Sequence, residues 1–204
     1  MNWYAREQQD LVTALRRAGP DAPTLCEGWR TRHLAAHLYL RLHRPWRMAA
    51  GILPGVADAD AHTLRMGDEH AGPGDYEQLL DDFLAQPARF NPMGVAGDAM
   101  HLLEYVVHHE DVRRAGGSDE PRILARGQRA ALWRQVRRMG RLTQARQPHG
   151  VVLVVPDGPR AVVRQGRRSI AVCGDEVELS LYLTGRTEHA DVELVATRRV
   201  TDAP

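Results

Sequence analysis

The sequence of 204 residues contains no lysine, and all 27 of its basic residues are arginine. Together with a high content of alanine, glycine, proline and valine, this bias suggests a GC-rich genome. Cysteine is also scarce, since only Cys26 and Cys173 occur and they lie far apart in the chain. Two isolated cysteines match neither a cysteine-rich zinc motif nor a disulfide framework. The sequence therefore excludes the small disulfide-stabilised and zinc-finger classes of protein.

Long apolar runs are absent too, so no segment is long enough to cross a membrane as a helix. The first residues lack the apolar core of a secretory signal, which predicts a reduced, cytoplasmic protein. The 27 basic and 26 acidic residues give a formal charge of +1, which does not indicate a polyanion-binding protein. A 43% apolar and 26% charged composition is typical of a soluble globular protein, and 204 residues are enough for one large domain or for one domain with a small appendage.

Apolar periodicity predicts helices along the first three quarters of the chain. Glycine and proline clusters separate them, and a Gly/Pro/Asp-rich stretch at 51–74 predicts a long crossover with one short helix near 61–66. The predicted helices cover residues 3–18, 32–52, 76–85, 94–115 and 123–145.

The last of these helices is rich in arginine. Its predicted buried face consists of Leu132, Val136, Met139 and Leu142, and arginines occupy most of the remaining surface. The arginines could contact nucleic acid, but they lack interleaved aromatic residues. A solvated face is the favoured interpretation, and no nucleic-acid partner is expected.

Beyond residue 148 the pattern changes to short β-branched runs separated by glycine turns. Strands are predicted at 151–155, 160–164, 169–172 and 190–196, with a short helix at 176–183. The predicted architecture is therefore mainly α, with a helical bundle over 1–148 and a small α+β domain over 149–204.

The helix at 94–115 carries the strongest chemical signal. Glu104 and His108 are four residues apart, so they lie on one helical face, one turn from each other. The histidines of H-E-x-x-H hold a metal ion at the same spacing. A third ligand must come from elsewhere, and His37, within the apolar segment 34–38, is the best candidate. Two histidines and a glutamate form a known catalytic zinc set, and facing helices of a bundle can supply it.

Other histidines leave alternatives open. His33 lies one turn before His37, and His101 lies one turn before Glu104, so either could ligate a metal, support a ligand or remain exposed. His109 and Asp111 are expected to point away from His108 and to cap the helix, pair with arginine or line the rim of the pocket.

Near the second helix, Cys26 is expected to be a small buried residue rather than a reactive thiol, and Trp29 a packing anchor. Glu104 and His108 could also belong to an ordinary polar helix face that binds no metal.

Several motifs together resemble a known family. Residues 25–29, 31–32 and 34–38 resemble the second-helix motif of DinB/YfiT-like metal-binding proteins, and residues 103–114 resemble their later metal helix. The nearest resemblance is to the actinobacterial group similar to the amino-terminal domain of mycothiol-dependent maleylpyruvate isomerase. Residues 44–45 and 51–54 fit that group, and residues 179–186 resemble the small carboxy-terminal domain of the isomerase.

This resemblance implies a DinB-like four-helix bundle with a long crossover and a divalent metal held by His37, Glu104 and His108. It implies that the low-molecular-weight thiol mycothiol takes part, and that Arg186 corresponds to an arginine that acts with the acidic substrate. The chain departs from the family pattern at His33, where aspartate is usual, and at His101, where asparagine is common.

The leading hypothesis is a metal-dependent thiol S-transferase or isomerase that acts on a small acidic or electrophilic substrate. The alternative is a non-catalytic module of the same fold that binds a metal or a small ligand, so the sequence leaves open whether the protein is an enzyme. Zinc is the expected ion, while nickel and iron(II) also accept two imidazoles and a carboxylate. The expected partners are a small-molecule thiol and a small-molecule substrate, and no membrane partner is expected. The protein is expected to be a monomer or a homodimer.

Overall fold

The computed structural model describes residues 2–44, 59–86 and 98–198, with side chains described for 60–86 and 101–196 in the last two segments. The chain divides into two compact units, Met1–Glu120 and Pro121–Pro204. The first is helical and the second combines helices with one sheet, so the predicted fold class, mainly α with a small α+β part, is confirmed.

The amino-terminal unit contains five described helices: α1 (Trp3–Ala18), α2 (Thr31–His43), α3 (Ala59–Glu69), α4 (Pro73–Leu84) and α5 (Asp98–Ala115). Local sequence explains several of their ends. The side chain of Asn2 accepts a hydrogen bond from the backbone N–H of Ala5 and caps α1. Gly19, with a φ of 76°, ends that helix, and Pro73 occupies the first position of α4, where its missing N–H costs nothing.

Four of these helices form one core, as expected for a four-helix bundle. Its buried residues come from α1, α2, α4 and α5: Leu11, Val12, Leu15, Leu34, Ala35, Ala36, Leu38, Leu42, Tyr76, Leu79, Leu80, Phe83, Tyr105 and Val112. Helix α3 packs on α2 and contributes the partly buried Met66. It lies in the predicted crossover and is longer than the helix expected at 61–66.

The carboxy-terminal unit contains α6 (Arg126–Thr143), α7 (Glu176–Leu183) and the strands β1 (Gly150–Val154), β2 (Arg160–Arg164), β3 (Arg168–Cys173) and β4 (Glu193–Arg198). The strands form a sheet in the order β2-β1-β3-β4. Strands β1 and β3 run parallel, and the other two pairs are antiparallel. The side chain of Asp175 caps α7 by accepting hydrogen bonds from the backbone of Val177 and Glu178.

The compact units divide earlier in the chain than the predicted domain boundary at 148/149. The sequence predicts α6 as part of the bundle, but α6 packs on α7 and β2 and belongs to the same compact unit as the sheet. The predicted buried face of α6 is also wrong in one place, because Leu142 is 69% exposed. Gly140 is buried instead, close to the side chains of Leu153 and Val163.

One predicted helix lies only partly within the described residues. Of the helix predicted at 32–52, the part through His43 is helical, and residues 45–58 lie outside the described residues. Within the described segments, no helix is both long enough and apolar enough to span a membrane.

Candidate metal site

Helices α2 and α5 bring the three predicted ligands together. One nitrogen each from His37 and His108 and one carboxylate oxygen from Glu104 lie within 4.8 Å of one another. His37 Nε2 is 3.9 Å from Glu104 Oε1, and the rings of His37 and His108 meet edge to face with centroids 5.3 Å apart. Two ligands about 2.1 Å from a tetrahedral ion are separated by roughly 3.5 Å, so small side-chain adjustments would suffice.

The three side chains are mostly buried but keep an accessible edge. Their exposed fractions are 17% for His37 and 13% for Glu104, and the residue His108 is 9% exposed. Within the described segments, 2–44, 60–86 and 101–196, no fourth histidine, cysteine or carboxylate donor joins the group. The donor set and its partial burial therefore fit a metal site in which one position is left for a small ligand.

Electrostatics keep Glu104 ionised. Burial raises the pKa of its carboxyl, but the interaction with His101 and the positive charges of Arg41, His108 and His37 outweigh this and lower the pKa to about 2. Arg41 Nε contacts Glu104 Oε1, and His101 Nδ1 is 3.7 Å from Glu104 Oε2. A deprotonated carboxylate is the form that a metal ion requires.

Asp111 does not point away from His108, so that expectation is wrong. His108 Nδ1 lies 2.9 Å from Asp111 Oδ2, and the thiol of Cys26 donates to the same oxygen at 3.3 Å. Residues i and i+3 are neighbours on a helix, which permits this contact. Cys26, His108 and Asp111 thus form a second group of donor atoms within 4.8 Å of one another, and it shares His108 with the first.

His109 is buried and contacts a carboxylate on another helix. Its Nδ1 lies 2.9 Å from Oε1 of Glu7 on α1, and the Glu7 side chain is fully buried. This pair ties α5 to α1, the helix against which α5 packs.

His33 and His101 have separate roles. His33 Nδ1 accepts a hydrogen bond from the backbone of Arg30, and its Nε2 is 2.9 Å from Asp68 Oδ1, so both ring nitrogens are engaged outside the candidate site. His101 contacts Glu104 and stacks on Tyr105, with ring centroids 5.7 Å apart. His101 is therefore placed to support a ligand rather than to act as one.

Sequence reasoning missed Arg41, although one signal was available. Arg41 lies one turn after His37 on α2, so it shares the helix face that carries the candidate ligand.

Trp29 is partly buried and packs against the bundle core, as predicted, and its ring also lies 5.2 Å from that of His37.

Arg186 follows α7 in the carboxy-terminal unit. Its guanidinium donates to the carbonyl oxygen of Thr184 at 2.8 Å. A role in handling substrate stays a prediction.

Comparison with known proteins agrees with the resemblance read from the sequence. The family model described as the mycothiol maleylpyruvate isomerase N-terminal domain matches residues 4–96, which confirms that resemblance. The crystal structure of the mycothiol-dependent maleylpyruvate isomerase aligns with a TM-score of 0.58 at 15% identity, covering 98% of this chain and 95% of that one. A crystal structure of a histidine-to-alanine mutant of that isomerase aligns with a TM-score of 0.56, the same identity and the same coverage. These likenesses establish a shared fold. No curated protein matches the chain.

Proposed function

We propose that this protein is a metal-dependent enzyme that uses a low-molecular-weight thiol of the mycothiol class. Its reaction would be isomerisation of, or S-transfer to, a small acidic or electrophilic substrate. His37, Glu104 and His108 would hold the metal, for which zinc is the expected ion. The observation that carries the proposal is the convergence of these three donor atoms within 4.8 Å.

The partial burial of the three side chains supports a reactive rather than a purely structural site. A structural zinc site is closed by four protein ligands, whereas a catalytic site has three and leaves a position for water or substrate. His33, which could have closed the set, is engaged by Asp68 and Arg30. This arrangement favours the enzyme over the non-catalytic alternative.

A bound divalent ion would lower the pKa of a thiol beside it and so supply a thiolate at neutral pH. The residues of the chain prepare the site for that chemistry. Glu104 supplies one negative charge, and His101 and Arg41 lower the pKa of its carboxyl, so that it stays ionised. His37 and His108 approach from different helices, which fixes the two imidazoles relative to each other.

The isomerisation needs neither an oxidant nor a reductant. The thiolate sulfur forms a bond to one carbon of a double bond conjugated to a carbonyl group, and the π electrons move to the carbonyl oxygen. Rotation about the resulting single bond follows. The electrons then return, the carbon–sulfur bond breaks and the double bond forms again with the opposite geometry. In S-transfer, the same thiolate would displace a leaving group that departs with the bonding electrons.

Arginine side chains would favour acidic substrates at this site. Arg41 contacts Glu104 and about a third of its side chain is exposed, so it adds positive charge beside the ligands. Arg186 is a second candidate for binding a substrate carboxylate, and only the family resemblance supports it.

Metal content of the purified protein provides the direct test. We expect about one equivalent of metal per wild-type chain and loss of at least nine tenths of it in His37→Ala, because two remaining ligands hold zinc poorly. His33→Ala is the matched control, since it removes a histidine of the same helix that is engaged elsewhere, and it should retain the metal. A wild-type protein that binds no added Zn²⁺, Ni²⁺ or Fe²⁺ would overturn the proposal.

Thiol chemistry requires a second measurement. The metal-loaded protein should form a thioether adduct between mycothiol and an electrophilic acceptor such as a conjugated keto acid, or isomerise that acid, and His37→Ala should do neither. A protein that binds metal but supports no thiol reaction would favour the non-catalytic module.

A further inference from the structure

The side chain of Asp111 on α5 is fully buried and lies directly behind His108. Its Oδ2 is 2.9 Å from His108 Nδ1, and the Cys26 thiol lies 3.3 Å from the same oxygen. We propose that Asp111 is a positioning residue that holds His108 in the tautomer and orientation needed to bind a metal through Nε2, and that Cys26 holds Asp111 in place. This inference rests on the function proposed above and adds to it a residue outside the three ligands.

The chemistry of imidazole explains why a carboxylate is suited to this position. A neutral histidine carries one N–H, and only its other nitrogen has a lone pair for a metal. A carboxylate can only accept, so Asp111 selects the tautomer with the proton on Nδ1 and leaves Nε2 as the donor atom. The negative charge of Asp111 also makes the imidazole a stronger ligand.

The loop between α1 and α2 supports the proposed role of Cys26. Its backbone is fixed to α5 by a hydrogen bond of 3.1 Å from the Leu25 N–H to the Asp111 carbonyl oxygen. The hydroxyl of Thr24 contacts the carbonyl oxygens of Cys26 and Trp29 and accepts from the Cys26 N–H. The loop turns at Gly28, whose φ of 75° suits glycine. The thiol is therefore held against Asp111 by an ordered segment.

The same loop connects the two sides of the site. Cys26 contacts Asp111, which in turn contacts His108 on α5. The ring of Trp29 lies 5.2 Å from that of His37 on α2. The loop thus contacts the surroundings of both histidines, which explains why a residue outside the ligand set can affect the binding of the metal.

A competing arrangement uses the same atoms differently. Cys26, His108 and Asp111 could themselves ligate a metal, with sulfur as one donor. The two arrangements make opposite predictions about His108, because sulfur ligation would use Nδ1 as the donor, whereas positioning by Asp111 places the proton there. They also differ in whether the metal has a sulfur ligand.

Asp111→Asn is the principal test, and Glu110→Gln is its matched control. Glu110 is the next residue on α5, its side chain is equally buried, and it pairs with Arg113 at 2.7 Å and Arg114 at 2.9 Å. We expect Asp111→Asn to weaken Zn²⁺ binding by about 10–100-fold, the usual effect of losing such a partner. Glu110→Gln should lower the thermal stability of the metal-free protein and leave the Zn²⁺ dissociation constant within about twofold of wild type.

Spectroscopy of the wild-type protein tests the inference without any variant. In the Zn²⁺-loaded protein, nitrogen NMR of the imidazoles should show His108 with its proton on Nδ1. In the Co²⁺-loaded protein, the absorption spectrum should lack the thiolate-to-cobalt charge-transfer band. A proton on Nε2 or a charge-transfer band that disappears in Cys26→Ser would overturn the inference in favour of sulfur ligation.

Failure of this inference differs from failure of the proposed function. If wild type binds Zn²⁺ and Asp111→Asn binds it equally tightly, Asp111 has no positioning role while the three-ligand site stands. If wild type binds no Zn²⁺, the proposed function itself fails. A loss of binding in Glu110→Gln as large as that in Asp111→Asn would show that any buried charge on α5 has this effect and would also overturn the inference.

Discussion

Gly67 lets α3 approach α2 at a point where no side chain fits. A β-carbon built at Gly67 would lie 2.4 Å from His33 Cδ2 and 2.9 Å from His33 Cα. We therefore expect Gly67→Ala to lower the free energy of unfolding by about 1–3 kcal/mol, because the overlap outweighs the roughly 1 kcal/mol that alanine gains in a helix. Urea unfolding followed by circular dichroism measures the effect.

Gly74 offers the matched control for that substitution. It lies in the first turn of α4, and a β-carbon there would have no heavy atom within 4 Å. Gly74→Ala should leave the stability unchanged or raise it by up to about 1 kcal/mol. Equal stability of the two variants would contradict the close approach of α3 to α2.

At the scale of residues, spacing predicted the three candidate ligands but not most of the side chains that contact them. Glu104 and His108 follow from helical periodicity, and His37 was selected as a histidine inside an apolar segment. The contact of Asp111 with His108 differs from the prediction because the i+3 position lies on a neighbouring part of the helix surface and does not face away. The partners of His109 and His33 could not be predicted, since Glu7 and Asp68 reach them only through tertiary packing.

Helix α6 contains no acidic residue, so its arginines repel one another. Arg134 is followed by Arg137 and Arg138, at the i+3 and i+4 positions that face it on a helix. We expect Arg134→Glu to raise the free energy of unfolding by about 1 kcal/mol, because it replaces two like-charge pairs by two attractive pairs of up to about 0.5 kcal/mol each. The glutamate also precedes Arg138 by four residues, which is the favourable order.

Salt separates this electrostatic effect from helix propensity. Arg134→Ala is the control that removes repulsion without adding attraction, so its stability should lie between those of wild type and Arg134→Glu. Because Arg134 and Arg138 are exposed and Arg137 is only partly buried, the differences should shrink in 1 M NaCl, where the screening length is about 3 Å. A gain for Arg134→Glu that persists unchanged at high salt would rule out this explanation.

At the scale of elements, periodicity predicted most helices and strands within a few residues. The helix at 176–183 is observed with those bounds, and the strand starting at 160 is correct at both ends. The packing partners of α6 were harder to predict. Its pattern indicates one buried face but does not say whether a bundle or a sheet covers it, and Gly140, which is next to the sheet, carries no hydrophobic signal.

At the scale of the whole molecule, metal binding at the candidate site is expected to stabilise one compact unit and not the other. The three candidate ligands all belong to Met1–Glu120, and the described part of Pro121–Pro204 contributes no donor to either candidate group. A ligand that binds only the folded state stabilises it by about 2.7 kcal/mol when its free concentration is a hundred times the dissociation constant. If the units unfold separately, that stabilisation belongs to the amino-terminal unit alone.

Hydrogen exchange measured with and without Zn²⁺ tests this prediction. At that concentration, the most protected amides of α2 and α5 should exchange roughly 100-fold more slowly, since 2.7 kcal/mol corresponds to that factor. The amides of β1 and β3 should exchange at unchanged rates, and in His37→Ala neither group should respond. Equal slowing in the helices and the sheet would show that the chain unfolds as one cooperative block. In that case the metal would stabilise both compact units, although its candidate ligands lie in only one of them.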